Sequence, residues 1–338
     1  MKIIFISGLS GTKSIENLSF GIENNQDRYE ILRKNQMKNI YYTIGKEMGT
    51  THDEIEIFHL RWQDLINNDS EELNFLNKTK VFTYWLKKDF VVKSLKSKNR
   101  AIIRIILTSG AVMLTWYLFI LLGFLGINLE LIQEFFEKFI PREWLVRVYT
   151  LLFTLLTFIV GRSSHLVRLN CNTKRYLTDE KLRLSLRKRF LDEISDQLDS
   201  NEEFIILAHS FGTIISIDCI SNLEFFRGRS FRFITLGSPV NFLSMRSDII
   251  RENLEKFKEI LEDDETKMKW IFYYSESDWL SPDIPAEIKE RGAKEKFIYY
   301  DLGGEEDFLE RLTGKPHMKY FYNKKVIESV IIPEEGIN

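Results

Sequence analysis

Phe204-Ile-Ile-Leu-Ala-His-Ser-Phe-Gly-Thr-Ile-Ile-Ser216 is the stretch on which the fold turns. Its apolar run, Phe204 to Leu207, reads as a buried strand. Ala208-His209-Ser210-Phe211-Gly212 then forms a sharp corner, and Thr213 onward reads as helix. Small residues stand two before and two after Ser210, where larger side chains would collide across a tight strand-to-helix turn. This is the setting of a G-x-S-x-G nucleophile elbow, with Ala208 in place of the first Gly. Such a corner lifts the Ser hydroxyl above the sheet, at the start of a helix whose N–H groups favour developing negative charge. A pentapeptide with relaxed ends also recurs by chance, so the partners of Ser210 must come from elsewhere in the chain.

Outward from the elbow, strands alternate with helices. Lys2 to Ser7 reads as the first strand, followed by the tight loop Gly8-Leu9-Ser10-Gly11-Thr12. The polar stretch from Asp27 to Lys46 has helical spacing. Glu54 to Leu60 alternates as a second strand, and Leu73 to Lys98 reads as a helix that grows more basic along its length. A charged amphipathic helix, Asp179 to Leu198, feeds the elbow strand. After the elbow come a strand over Phe231–Leu236, a helix over Ser247–Leu261, a strand over Lys269–Tyr274 and a strand over Lys296–Asp301. Pro316-His317 opens a last helix that runs to about Val330. This order predicts an α/β fold: a mostly parallel sheet with helices on both faces.

Composition changes abruptly in between. Ile105 to Ile127 contains no charged residue and is about as long as a bilayer crossing requires. A second apolar run, Trp144 to Gly161, is interrupted by Arg147, near enough to one end to snorkel. Between them, Leu129, Ile132, Phe136 and Phe139 share one helical face, which suits a helix lying in a membrane interface. Lys87, Lys88, Lys93, Lys96, Lys98 and Arg100 precede the first run; Arg162, Arg168, Lys174 and Arg175 follow the second. By the positive-inside rule both flanks are cytoplasmic. Three segments are therefore expected: 1–98 and 169–338 as the two parts of the α/β domain, and 99–168 as an inserted transmembrane helical hairpin. The expected location is the cell (inner) membrane, with two spans. A hairpin buried in a soluble core, closing as a lid, or joining a homo-oligomer is the competing reading.

The formal net charge of −2 and well-mixed charges leave no nucleic-acid footprint. Cys171 and Cys219 make no disulfide framework and no metal-binding spacing. Neither phosphate-cradling glycine motif is present, so no cofactor or metal is expected.

A Ser hydroxyl needs a base to take its proton, and the base needs a third group to hold its tautomer. In a parallel sheet such groups gather at the C-terminal ends of strands. Asp278 follows a strand two units after the elbow, with Glu276, Asp283 and Asp301 as rivals. His317 follows the next strand. His52 and His59 lie by the second strand and His165 at the membrane flank; His209, beside the nucleophile, should face away because strand side chains alternate. The oxyanion needs two backbone N–H donors. Phe211 supplies one, and Leu9, with Ser10 as second choice, the other.

These residues resemble the α/β-hydrolase superfamily in its lipase-like branch. The resemblance rests on Ser7-Gly8-Leu9-Ser10-Gly11 at the oxyanion loop, Ala208 to Gly212, Leu236-Gly237-Ser238-Pro239, Ser277-Asp278 and Pro316-His317. It covers about 1–80 and 180–330; Ser7 stands where the family often has His, and the membrane hairpin is foreign to the pattern. It implies a Ser-Asp-His chain order and a lipase or esterase that cleaves carboxylic or thioester bonds. With the hairpin, the expectation is a membrane-anchored serine hydrolase whose partners are the lipid bilayer and a lipid or acyl-ester substrate. The alternative is a catalytically inactive, membrane-bound interaction protein on the same fold.

Overall fold

A computed structural model describes residues 1–9, 12–24, 29–35, 41–46, 55–67, 141, 171–198, 202–278, 280–281, 283–284, 288, 296–303 and 315–331. The chain divides into two compact units, residues 1–69 with 179–338, and residues 70–178. The expected spans 105–127 and 144–161, the interfacial segment between them and the basic helix 73–98 lie outside the described residues. In the second unit, residues 171–178 are helical. Among the described residues no helix is long and apolar enough to cross a membrane.

The first unit is built on one sheet. Its strands are β1 (Lys2–Ile6), β2 (Tyr29–Asn35), β3 (Tyr41–Lys46), β4 (Ile55–Leu60), β5 (Phe204–His209), β6 (Ser230–Leu236), β7 (Lys267–Tyr274) and β8 (Phe297–Asp301). They lie in the order β2-β3-β4-β1-β5-β6-β7-β8. From β4 to β8 every pairing is parallel; β2 and β3 add an antiparallel edge. The expected helix over 27–46 is thus corrected to two strands. Tyr41-Tyr42-Thr43-Ile44 is aromatic and β-branched, and backbone pairing with β4 outweighs the helical spacing of the polar residues.

The helices of this unit include α1 (Thr12–Glu23), α2 (Gln63–Asn67), α3 (Glu180–Ser195), α4 (Phe211–Asn222), α5 (Val240–Ser244), α6 (Asp248–Glu262) and α7 (Lys324–Ile331). Side chains alternate across the central strands, and both faces are covered. On one face Ile3, Phe5, Ile205, Leu207, Ile234 and Leu236 pack with Ile15, Leu18 and Ile22 of α1 and Val326, Ile327 and Val330 of α7. On the other, Phe233 and Trp270 meet Phe257 of α6 at ring distances of 5.4 and 4.9 Å. The continuous apolar character of Phe204 to Ala208 follows: a parallel strand covered on both faces has no polar side.

Local chemistry sets the helix ends. Asp179 caps α3 by accepting from the Leu182 N–H at 3.1 Å. The expected single helix from Pro316 is instead a 3-10 segment, Lys315–Tyr322, followed by α7. Asn323 separates them, its Oδ1 accepting from the Lys325 N–H at 3.0 Å and ending the first segment as it caps the second.

The elbow helix α4 is anchored from beneath by a buried charge. Asp218 Oδ1 accepts from Arg187 of α3 at 2.6 Å and from Asn253 of α6 at 2.7 Å, with the Asp218 side chain 1% exposed. Removing the carboxylate leaves an arginine and an amide facing each other across a desolvated gap. Asp218→Ala is expected to cost about 3 kcal/mol in urea unfolding, from the usual penalty for breaking such a pair. A change under 1 kcal/mol would show the network to be incidental.

Candidate active site

Ser210 sits between β5 and α4 with φ 55° and ψ −129°. It is the sole non-glycine residue of positive φ among the described residues. A side chain in that region is strained, and the surroundings must hold it there. The Ser210 N–H donates to the Leu236 carbonyl at 2.9 Å, and the Ser210 carbonyl accepts from Thr213 at 3.0 Å. A Cβ on Gly212 would lie 2.2 Å from the Ile6 carbonyl oxygen, so α4 can start against the end of β1 only because residue 212 has none.

The acid and base meet beside this corner. Asp278, 2% exposed, follows β7, and His317 lies in the 3-10 segment. His317 Nδ1 is 2.8 Å from Asp278 Oδ2. The same oxygen accepts from the Tyr320 hydroxyl at 2.9 Å, and Asp278 Oδ1 accepts from the Leu280 N–H at 3.0 Å. Burial alone would raise the Asp278 carboxyl. The His317 charge and hydrogen bond, with the Leu280 and Tyr320 donors, outweigh it and hold the carboxyl below its ordinary value. Burial, then the adjacent carboxylate, push the Tyr320 hydroxyl well up, so it remains a neutral donor. With Nδ1 taken by Asp278, His317 Nε2 is buried without a hydrogen bond among the described residues.

Gly237 brings the two halves together. Its predecessor Leu236 accepts the Ser210 N–H, and a Cβ on Gly237 would stand 3.0 Å from both Asp278 Oδ2 and His317 Cε1. The C-terminal end of β6 therefore has the Ser210 backbone on one side and the Asp278–His317 pair against its next residue. Gly237 also has φ 58°, which an L side chain rarely adopts.

On the oxyanion side, the loop after β1 runs against Ser210: a Cβ on Gly8 would lie 2.7 Å from Ser210 Cβ and 3.1 Å from its Oγ. Leu9 follows on that loop, and Phe211 opens α4. Ser10 lies outside the described residues.

The other candidates fall elsewhere. Glu276, Asp283 and Asp301 are exposed. Asp283 accepts from the Ile284 N–H and Asp301 from the Gly303 N–H, both turn contacts. His52 and His165 lie outside the described residues. His59 bonds Ser7 Oγ at 2.8 Å. His209 needs a correction. Strand alternation does point it to the α1–α7 face, but the 3-10 segment crosses that same face. Its ring is 4.8 Å from that of His317, and its Nε2 lies 3.1 Å from the His317 carbonyl oxygen. Since a carbonyl only accepts, Nε2 carries the proton, and Nδ1 accepts from the Ser14 hydroxyl at 3.3 Å. Tyr320 and His209 are the residues that sequence reasoning missed. The three-residue step from His317 to Tyr320, one turn of a 3-10 segment, is the signal that could have found the first.

Among the described residues no group of His, Cys, Asp or Glu is gathered closely enough to hold a metal ion.

No family model and no curated protein matches the sequence. Two solved structures are similar in part. An acylaminoacyl peptidase in complex with Z-Gly-Gly-Phe-chloromethyl ketone is 16% identical, over 40% of this chain and 24% of that one, with a TM-score of 0.25. Pyrococcus horikoshii acylaminoacyl peptidase is 14% identical, over 45% and 27%, with a TM-score of 0.28. The chain spans about a quarter of the length of either protein.

Two outcomes follow from this arrangement. Ser210→Gly relieves the positive-φ strain, whereas Ser210→Ala keeps it; both lack the hydroxyl. The Gly variant is expected to be the more stable by about 1 kcal/mol in chemical denaturation, and equal stabilities would count against strain at the corner. The second concerns protons. Burial, then the Arg61 charge, lower His59 from 6.5 to about 4; burial, then the His317 charge, lower His209 to about 3. Unfolded, both titrate near 6.5. From about pH 6.5 down to 4 the unfolded chain therefore binds more protons than the folded one. The stability from keeping both rings neutral is full above pH ~6.5 and is lost as pH falls. Denaturation at pH 7, 6 and 5 should show this loss, and in His59→Gln its slope should shrink by about one proton, roughly 1.4 kcal/mol per pH unit.

Proposed function

We propose that the chain is a serine hydrolase that works by acyl transfer through Ser210. The observation that carries this reading is a strained serine whose N–H bonds the Leu236 carbonyl, with an Asp278–His317 pair seated on the next residue, Gly237. In the reaction, Ser210 Oγ attacks the acyl carbonyl carbon and its proton passes to His317 Nε2. Asp278 holds the Nδ1–H and balances the charge that forms on the ring. The Leu9 and Phe211 N–H groups receive the oxyanion. The tetrahedral species collapses, the leaving alcohol or thiol takes the proton from His317, and the acyl group stays on Ser210. Water, deprotonated by His317, then releases the acid and restores the hydroxyl.

The substrate reading rests on the inserted segment. Two long apolar runs with basic flanks support an enzyme held at the cytoplasmic face of the inner membrane. Tethering raises the effective concentration of anything in the bilayer, which favours lipid esters or the thioesters of lipidated proteins.

A fluorophosphonate probe is expected to label the wild-type protein and leave Ser210→Ala unlabelled. No labelling of wild type, or equal labelling of both, would sink the enzyme reading. Asp278→Asn should lower kcat on a 4-nitrophenyl ester by about 10⁴-fold, through loss of the correct His317 tautomer. In fractionation without detergent the protein should stay with the membranes; recovery in the aqueous phase would count against the anchored reading.

A further inference from the structure

The loop that carries Leu9 is held from one side by consecutive residues at the start of α2. Trp62 Nε1 donates to the Ser7 carbonyl at 2.8 Å. Gln63 Nε2 donates to the Gly8 carbonyl at 2.8 Å and to Ser7 Oγ at 2.8 Å. Gln63 Oε1 accepts from the Trp62 N–H at 3.3 Å. The amide orientation is therefore consistent at both ends, with the nitrogen facing two oxygens and the oxygen facing an N–H. Trp62 is fully buried, and its ring lies 5.8 Å from that of Phe211, the residue after the nucleophile.

The Gly8 carbonyl and the Leu9 N–H belong to one peptide unit. No cis peptide occurs among the described residues, and a planar trans unit points its N–H opposite its C=O. Holding the carbonyl therefore aims the N–H. Without a donor on Gly8 O, the peptide plane beside a glycine is free to turn and would present a carbonyl oxygen instead. A hydrogen bond on the carbonyl also polarises the unit and strengthens the donor at its other end.

We infer that Gln63 and Trp62 are positioning residues for the oxyanion cradle: Gln63 sets the orientation of the Gly8–Leu9 peptide, and Trp62 ties the preceding peptide to the residue that opens the nucleophile helix. This rests on the serine-hydrolase reading above. Neither side chain need touch the substrate. Their effect falls on the transition state, because only there does the oxygen carry negative charge on a carbon turning tetrahedral.

The test uses the full chain in detergent, with fluorophosphonate labelling rates, 4-nitrophenyl butyrate kinetics and the affinity of an alkyl trifluoromethyl ketone as transition-state mimic. Gln63→Ala should lower kcat by about 10²-fold, the usual loss of one oxyanion donor, with KM little changed and the pH profile unshifted. Ketone affinity should fall in step with kcat/KM. Gln63→Glu keeps the length of the side chain but replaces the donor by an acceptor facing Gly8 O, and should lose as much or more. Gln63 is half-buried on a short helix, so these changes spare the core. Should Gln63→Ala fail to fold, Trp62→Phe, which keeps a ring and removes the indole N–H, carries the same test. Variants that fold, label and turn over at the wild-type rate overturn this inference and leave Ser210 as nucleophile. A fall in melting temperature with kcat unchanged overturns it equally, as a merely structural role. An inert wild type removes the reaction itself, and the inference with it.

Discussion

The end of β1 and the start of α4 occupy nearly the same space, and the site is built around that crowding. Gly212 lies against the Ile6 carbonyl so closely that no β-carbon fits, and a β-carbon on Gly8 would likewise crowd Ser210. Between these contacts Ser210 has no relaxed conformation to adopt. Its φ of 55° is imposed by a strand on one side and a helix that must start at once on the other. The strain is held by bonds that cannot be given up cheaply: the Ser210 N–H to Leu236, the start of α4, and the ion pair of Asp218 with Arg187 further along the same helix. A helix so anchored cannot slide back to ease its first residue.

The acid–base pair obeys a second crowding rule, at Gly237. A buried carboxylate is costly, and Asp278 is stabilised by three groups from different parts of the chain: His317 and Tyr320 from the 3-10 segment and the Leu280 N–H from its own turn. The His317 and Tyr320 side chains reach it only because residue 237 occupies no side-chain volume. The two glycines after strand ends thus do different work. Gly8 lets the loop after β1 approach Ser210, and Gly237 lets Asp278 and His317 approach the end of β6.

Much of this was legible in the sequence because it follows from short-range rules. The apolar run before Ala208 and the small residues around Ser210 mark a strand and a corner whatever lies elsewhere. Asp278 and His317 come at the ends of readable strands. The hairpin of β2 and β3 was not legible, since its polar residues mimic helical spacing and only pairing with β4 decides the matter. Tyr320 and His209 escaped for another reason. Each acts through a contact between segments far apart in the chain, 42 residues from Tyr320 to Asp278 and 108 from His209 to His317. Periodicity carries no information about such contacts. Trp62 and Gln63 carry no motif of their own in the sequence, and only the packing of α2 against the first loop gives them carbonyls to hold.

His209 shows how charge and geometry are made to agree. It is the last residue of β5, so its position is locked to that of Ser210 through the chain, and its Nε2–H bonds the backbone of His317. The segments that carry Ser210 and His317 are joined by one ring. That ring must stay neutral to serve. An imidazolium there would stand 4.8 Å from the ring of His317, and a single carboxylate, Asp278, would face two positive charges. Burial pushes His209 down to about 3, and the His317 charge pushes in the same direction. Burial thus keeps the His209 ring neutral, and the carboxylate lies against His317. In the proposed reaction this leaves the proton from Ser210 a single destination, beside the group that stabilises it.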